Sequence, residues 1–400
     1  MKKTVETDVV IIGGGIAGLW LLNRLRQLGY SVILLESKAL GAGQTNKSQG
    51  IIHGGVKYAL QGMMTSSSQA IADMPRVWDE CLNGRGIIDL SQVPILSKHQ
   101  YLWSSGSLAS KVASFFAGMA LKGNVQELAR NDYPEIFQNP LFKGQVYSLD
   151  EIVIDVLAVI RELVKQNQDV IYKIDPIQDE QLRFDDNGKL ISLEIQAEPI
   201  EPIIVKAQKY IFTAGAGNEN LLRPLKQEGI AMQRRPLHMV MVKTGFSHKL
   251  FAHCLGLGAA PRLTITTHKT HDGAPVWYLG GQLAEEGVKR DAKEQIIAAR
   301  KELQELFPWL DFSDAHFATF FVDRAEPLSP DGSRPASCYV KEVENVMAAW
   351  PTKLALAPKL AEEVIAKLQQ ANIEHHPAEL RALRAWPIPA LAKPVWDELL

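Results

Sequence analysis

The chain has 400 residues, 46% of them hydrophobic and 22% charged, and a formal net charge of −2. That length holds a large core and predicts two or three domains, while the composition excludes a disordered or fibrous chain. The near-neutral balance, without a long run of like charge, argues against nucleic acid as a partner. In chain order, the first predicted strand, Val9 to Ile12, runs straight into Gly13, Gly15 and Gly18. A helix is predicted from about Ile16 to Leu28, and a second strand from Tyr30 ends on Glu36. Strand, glycine turn, helix, strand and closing acid make a dinucleotide-binding βαβ unit. Gly13 allows the sharp turn, Gly15 lets the backbone touch a pyrophosphate, and Gly18 lets the helix pack closely on the strand. The helix start, with Ile16 and Ala17, turns unpaired N–H groups toward the phosphates. Glu36 is placed to accept hydrogen bonds from ribose hydroxyls and to repel a 2′-phosphate.

The next stretch, Ser37 to Gly55, has five glycines among its last fifteen positions, with Gln44, Thr45, Ser48 and Gln49 between them. Such a run builds little side-chain core, but it lets the backbone pass close to a flat or phosphorylated ligand. Helices are predicted over Ser66–Asp79, Ser107–Lys122 and Asp155–Lys165. A small meander follows through Val170–Ile174, Gln181–Phe184 and Lys189–Ile195, turning at Asp186-Asn187-Gly188. A strand from Lys209 ends in the small residues Ala214, Gly215, Ala216 and Gly217, which predicts a return to the nucleotide-binding sheet. Residues 236–283 are strand-rich, Ala292–Leu306 is a helix, and Arg324 to Gly332 reads as a turn-rich segment. Val343–Ala349 is a predicted strand and Leu356–Gln370 a closing helix; the proline-bearing tail from Trp386 reads as irregular. Glu6 and Asp8 interrupt the approach to the first apolar run, so it is read as structure rather than as a signal peptide. No run of about 18 apolar residues predicts a spanning helix. The three scattered cysteines form no CxxC and read as reduced thiols, which favours the cytoplasm. No His/Cys/Asp cluster has metal-ligand spacing.

Four blocks of the chain resemble the FAD-dependent D-amino-acid-oxidase superfamily. They are the opening fingerprint with Glu36, Ser48-Gln-Gly-Ile-Ile-His53-Gly-Gly55, Phe212-Thr-Ala-Gly-Ala-Gly217, and Arg324 leading to Pro330-Asp331-Gly332. The second block is similar to the His-Gly-Gly segment of flavin-dependent glycerol-3-phosphate dehydrogenases and to the His-Ala-Gly segment of 2-hydroxyglutarate dehydrogenases. Thr352-Lys353-Leu354 is similar to a Gly-Lys-Leu loop of the former. The chain departs from many members in having no glycine across Ala348–Lys353, and extra residues stand between Arg324 and the Asp-Gly pair.

The resemblance implies an α/β fold: a Rossmann-like, glutathione-reductase-like FAD-binding domain with an inserted antiparallel-sheet substrate domain. The expected FAD-binding segments are 1–75, 150–225 and 320–375, the substrate-binding segments 76–149 and 226–319, and 376–400 a tail. It implies FAD contacts from Gly13, Gly15, Ile16, Ala17, Gly18, Glu36, Ser37, Gln44, Thr45, Ser48, Gln49, Gly50, Ala214 and Gly215. The implied reaction is dehydrogenation of a small anionic 2-hydroxy acid or glycerol-3-phosphate-like substrate, with hydride passing to flavin N5; the alternative is an amino-acid or amine oxidase using oxygen.

Three side chains are candidates for the chemistry. Arg324 suits a carboxylate or phosphate, its alternative being a structural ion pair with Asp331 or Glu326. His53 suits a base for a hydroxyl proton, its alternatives being a structural hydrogen bond or a covalent flavin link. Lys353 can place charge near flavin N1 and O2, or be a solvated surface lysine. His238 can line the substrate face or be a satisfied strand histidine, and either Trp277 or Tyr278 can face the site. The electron acceptor stays open between quinone, oxygen and a carrier protein. The Ser107–Lys122 helix can touch the inner face of the membrane or pack in the core.

Overall fold

The computed structural model describes residues 2–54, 71–104, 125–225, 231–256, 261–329, 331–333 and 335–400. Strand β1 (Thr4–Ile12), helix α1 (Ile16–Gln27) and strand β2 (Val32–Glu36) form the opening unit where the glycine spacing places it. Helix α1 is apolar on nearly every side, with Ile16, Leu19, Trp20, Leu21, Leu22 and Leu25 all buried. A helix of that kind needs cover all round. It is wedged between the sheet and the helices Val156–Lys165 and Ala357–Gln370, in one continuous core. Each of those large side chains contributes roughly 1.5–3 kcal/mol by leaving water.

β1 lies between β2 and the strand Ile200–Phe212, both parallel to it. β2 pairs in parallel with Ile171–Lys173, and Ile200–Phe212 pairs in parallel with Val346–Trp350. The hairpin partner Tyr339–Val343 closes that edge antiparallel. The Ile200–Phe212 strand is 13 residues long, and its two halves face different neighbours. Its start pairs with Leu190–Ala197 and its end with Val346–Trp350. The meander therefore consists of Leu182–Phe184, Leu190–Ala197 and the start of this strand, while Ile171–Lys173 joins the parallel sheet instead. β1 and Ile200–Phe212 end side by side, at the register pair Ile12 and Phe212. The first glycine turn and the Ala214–Gly217 turn thus meet at the carboxyl edge of the sheet, where open α/β sheets bind their ligands.

The second sheet runs, from one edge, His316–Pro327, Met232–Lys243, Pro275–Gly280, Leu263–Lys269, Ala252–Cys254, Gln100–Ser104, Gln145–Leu149 and Val125–Glu127. It is antiparallel except where Ala252–Cys254 meets Gln100–Ser104. One face carries Trp277, Leu279 and Trp103 under the helix Ala292–Leu306, with Phe307 and Phe312 beside them. Asp291 opens that helix with a capping box to Glu294, which satisfies two backbone donors at once. The other face carries Met239, Met241, Tyr278 and Phe320. It meets the first half of the molecule: the Tyr278 hydroxyl donates to the Lys47 carbonyl at 2.8 Å, and the Lys47 ammonium lies 5.6 Å from the Phe320 ring centre.

Three segments lie differently from the sequence reading. Arg324 to Pro327 is the end of a 12-residue strand, His316–Pro327, and not a turn. Its prolines and the Asp-Gly pair suggest turns, but Arg324 to Pro327 pair in register with Met232 to Arg235. Residue 320, drawn as a domain boundary, falls inside this strand of the second sheet. Met74, Trp78, Cys81 and Leu82, from the helix Met74–Leu82, pack into the first core, and the Trp78 indole donates to the Ala355 carbonyl. The expected helix Ser107–Lys122 lies outside the described residues.

The tail contains a short 3-10 turn, Arg381–Leu383, and a short helix, Val395–Leu399. Before it, the chain straps the glycine-rich stretch. The Leu40 N–H donates to the Ala390 carbonyl, the Ala392 N–H to the Leu40 carbonyl and the Asn46 amide to the Lys393 carbonyl. Trp396 then stacks on His268 of the second sheet at 4.3 Å.

Candidate active site

The site begins with close backbone contacts that exclude side chains. Gly13 has φ +115, and a Cβ there would stand 2.6 Å from the Thr213 carbonyl carbon. At Gly18 a Cβ would lie 2.0 Å from the Gly13 carbonyl oxygen, so only glycine lets α1 sit this close to the turn. Thr213 ties the two turns together, its hydroxyl donating to the Gly13 carbonyl at 3.0 Å. The Thr45 hydroxyl accepts from the Ile16 N–H at 3.1 Å, at the opening of α1. A Cβ on Gly15 would reach that hydroxyl at 3.1 Å. Glu36 accepts from the Gly14 N–H and the Lys38 N–H, both at 2.6 Å. A carboxylate has about four acceptor positions, so ribose hydroxyls can still be received there. Ala214 donates its N–H to Asn218, and the Gly215 carbonyl accepts from the Trp350 indole at 3.1 Å.

The stretch Gln44–Gly54 joins the two halves. The Gln44 side-chain oxygen accepts from the Ala325 N–H at 3.1 Å, beside Arg324. Ser48 donates to the Thr45 carbonyl, and the Gln49 amide donates to the Tyr278 carbonyl at 2.9 Å. Gly50, at φ +73, presses against the Ile154 carbonyl. The backbone pairs Ile52 with Ile152, and Ile154 with Gly50. That register places His53 opposite Glu151. The His53 Nδ1 lies 3.0 Å from Glu151 Oε2, and Glu151 Oε1 accepts from the Gly54 N–H at 2.8 Å. The His253 ring stacks on His53 at 5.9 Å, its own Nδ1 2.8 Å from the Thr264 hydroxyl. The fold thus brings His53, Glu151 and His253 together, with their ligating atoms within 4.8 Å of one another. Sequence spacing showed no such cluster, because its members come from three distant segments.

Arg324 is one quarter exposed. Its Nε donates to the Arg235 carbonyl at 3.1 Å, and its Nη1 lies 3.5 Å from Glu285. Glu326, considered as its ion-pair partner, is instead held in a bidentate pair by Arg235, at 2.8 and 2.9 Å. Lys353 is buried, not solvated, and its ammonium donates to the Ala336 carbonyl at 3.2 Å. It follows Thr352, which has φ +59 and donates to the Ser337 carbonyl. His238 is a satisfied strand histidine: it is buried, its Nδ1 lies 2.9 Å from the Gly287 carbonyl, and it stacks on Phe321. Trp277 belongs to the core, and Tyr278 is the member of that pair that faces Lys47. Cys254 and Cys338 are buried thiols pushed up to about 12 by desolvation, which suits inert packing groups.

A cavity of about 600 Å³ opens between the halves, lined by Ser48, Arg161, Lys249, His268, Leu391 and Trp396 among others. Of the FAD contacts expected from sequence, Ser48 alone lines it, and His53, Arg324 and Lys353 do not.

The model of the DAO family, FAD dependent oxidoreductase, matches residues 8–347. The chain belongs to this family. It is therefore an FAD-dependent oxidoreductase, and a flavoenzyme of this kind requires a substrate and an electron acceptor. A probable FAD-dependent oxidoreductase of Pseudomonas aeruginosa is 48% identical over 401 residues, 99% of each chain. The crystal structure of an FAD-dependent oxidoreductase from the same organism superimposes with a TM-score of 0.84 at 44% identity, covering 100% of this chain and 99% of that one. An alpha-glycerophosphate oxidase of Streptococcus pyogenes is 25% identical over 267 residues, 60% of this chain but 43% of its own length. Glycine oxidase from Geobacillus kaustophilus (TM-score 0.65, 14% identity, 94% and 97% coverage) shares the fold. So does the FAD-bound L-alpha-glycerophosphate oxidase of Mycoplasma pneumoniae (TM-score 0.63, 15% identity, 91% and 95% coverage).

The residues present fit FAD. The glycine contacts hold the opening of α1, with its N–H donors, at the carboxyl edge of the sheet, and Glu36 retains acceptor capacity for a ribose. Among the described residues, no helix of this DAO-family chain is long and apolar enough to cross a membrane.

Proposed function

We propose that the chain dehydrogenates a small anionic 2-hydroxy acid or a glycerol-3-phosphate-like alcohol. In this reading Gly13, Gly15, Gly18, Glu36, Thr45 and Gly215 hold FAD, with Ser37, Gln44, Ser48, Gln49 and Gly50 along its length. The observation that carries the substrate class is the His53 imidazole, paired with the buried Glu151 at 3.0 Å within the glycine-rich stretch. An alcohol must give up its hydroxyl proton as its carbon is oxidised, and a neutral imidazole is suited to take it near neutral pH. The similarity to alpha-glycerophosphate oxidases over 60% of the chain supports the same class.

When bound, FAD supplies the two-electron acceptor. Arg324 receives the substrate anion. Its fork is oriented through Nε by the Arg235 carbonyl, and Glu285 lies 3.5 Å from Nη1. Lys353 keeps a buried positive charge in the loop after Trp350, whose indole grips the Gly215 turn. The test is anaerobic bleaching of the yellow holoenzyme by a panel of 2-hydroxy acids, glycerol 3-phosphate, amino acids and amines. Bleaching by a hydroxy acid or glycerol phosphate is expected. Bleaching by an amine or amino acid alone, with peroxide released in air, selects the oxidase alternative.

A further inference from the structure

Resting on the reading of His53 as the proton acceptor, we infer that Glu151 is its positioning residue, holding the imidazole as the Nδ1–H tautomer so that Nε2 carries the lone pair. The Glu151 carboxylate is 1% exposed, and each of its oxygens faces a different nitrogen, His53 Nδ1 at 3.0 Å and the Gly54 N–H at 2.8 Å. An ionised carboxylate only accepts hydrogen bonds. A neutral His53 facing it must therefore donate from Nδ1, and its basic nitrogen is then Nε2.

The backbone enforces this pairing. The bridge between Ile51 and Val153, with the flanking bonds from Ile52 to Ile152 and from Ile154 to Gly50, sets Glu151 against His53 across 98 positions of sequence. Among the described residues, the titratable groups against His53 are Glu151, from the turn before Val153, and His253, from the strand Ala252–Cys254. His253 is fully buried and held by Thr264, so its ring braces the His53 ring from one side. A charge-bearing carboxylate aimed at a ring nitrogen both orients the ring and stabilises the imidazolium formed when the ring takes a proton.

Gln is nearly isosteric with Glu but has one acceptor oxygen where the two N–H groups require two. In Glu151→Gln, the Gly54 N–H and His53 Nδ1–H compete for it. The experiment compares the wild-type, Glu151→Gln and Glu151→Asp holoenzymes by two readouts. The first is nitrogen NMR of selectively labelled histidine, with His53 assigned from the His53→Ala spectrum. The second is the rate of anaerobic flavin reduction against pH.

Glu151→Gln is expected to retain FAD, to lose the Nδ1–H tautomer as the dominant form and to slow reduction by about tenfold or more. Its acid limb should move to lower pH, because removing the anion disfavours the imidazolium. Glu151→Asp should restore part of both signals. A wild-type tautomer and pH profile in Glu151→Gln overturns the role. Should that variant fail to fold, a wild-type spectrum in which His53 carries its proton on Nε2 rather than Nδ1 overturns it equally. One equivalent of zinc per wild-type chain by elemental analysis, lost on substitution of Glu151, also overturns it, because the cluster is then a metal site. If no hydroxy compound reduces even the wild type, the substrate reading fails, while the NMR tautomer still tests the pairing.

Discussion

The two halves of the molecule place their functional groups by different physical means. The nucleotide half is shaped by absence: at Gly13 and Gly18 a single methyl group would collide with backbone at 2.6 and 2.0 Å. The second sheet is shaped by charge. On its outer strands Arg235 clasps Glu326, Arg234 pairs with Asp323 and Glu219, and Arg324 stands among them with Glu285. Steric exclusion by backbone tolerates no adjustment, whereas charged side chains move and screen. The first half is therefore suited to hold one cofactor in one pose, and under the proposed function the second would receive the substrate anion.

Substitutions sharpen that contrast, and the largest effect is expected in the nucleotide half. Gly18→Ala should cost about 1–3 kcal/mol or more in stability and yield protein without bound flavin, read by thermal melting and visible absorbance. A yellow, equally stable variant breaks the steric side of the comparison. His53→Ala should slow anaerobic flavin reduction on the order of 10²-fold while retaining FAD, measured by rapid mixing at saturating substrate. Arg324→Ala should lower kcat/KM by about 10- to 100-fold, the worth of a charged hydrogen bond of roughly 1.5–3 kcal/mol, again with flavin retained. Full turnover in that variant removes the anion clamp.

The smallest effect concerns His268, which sits between the Thr266 hydroxyl at 3.0 Å and the Trp396 ring at 4.3 Å. Burial pushes its imidazole down to about 3. The folded chain keeps this ring neutral, while the unfolded chain takes up a proton below about 6.5. Its contribution is thus intact above that pH and is lost as pH falls toward 3, by up to about 1.4 kcal/mol per pH unit. Wild type should therefore lose stability more steeply than His268→Gln between pH 6.5 and 4 in denaturant titrations. Parallel curves would show that burial does not penalise the charged ring.

What the sequence disclosed follows the same division. Glycine spacing, the run Val9–Ile12 and Glu36 announce the opening unit because its contacts are local in sequence. His316–Pro327 was hidden because Pro327, Pro330 and Gly332 read as turn residues, while the partners of Asp323, Arg324 and Glu326 on Met232–Lys243 lie roughly ninety positions away. Glu151 was hidden for a related reason. One acid in a short turn carries no periodic signal, and its importance comes from facing His53. Lys353 stays open in the sequence between a charge beside the flavin and a solvated lysine, because nothing local shows that the loop after Trp350 is covered.

The strap over Leu40–Asn46 also bears on how the molecule is made. Asn46 is secured by Lys393, 347 positions further along, so the loop Leu40–Asn46 gains this contact only when nearly the whole polypeptide has left the ribosome. During synthesis α1 and β2 can assemble early, yet their cup stays open on that side. Vectorial growth thus puts a delay between forming the glycine turn and fastening the strap, and contacts this distant in sequence are slow to form.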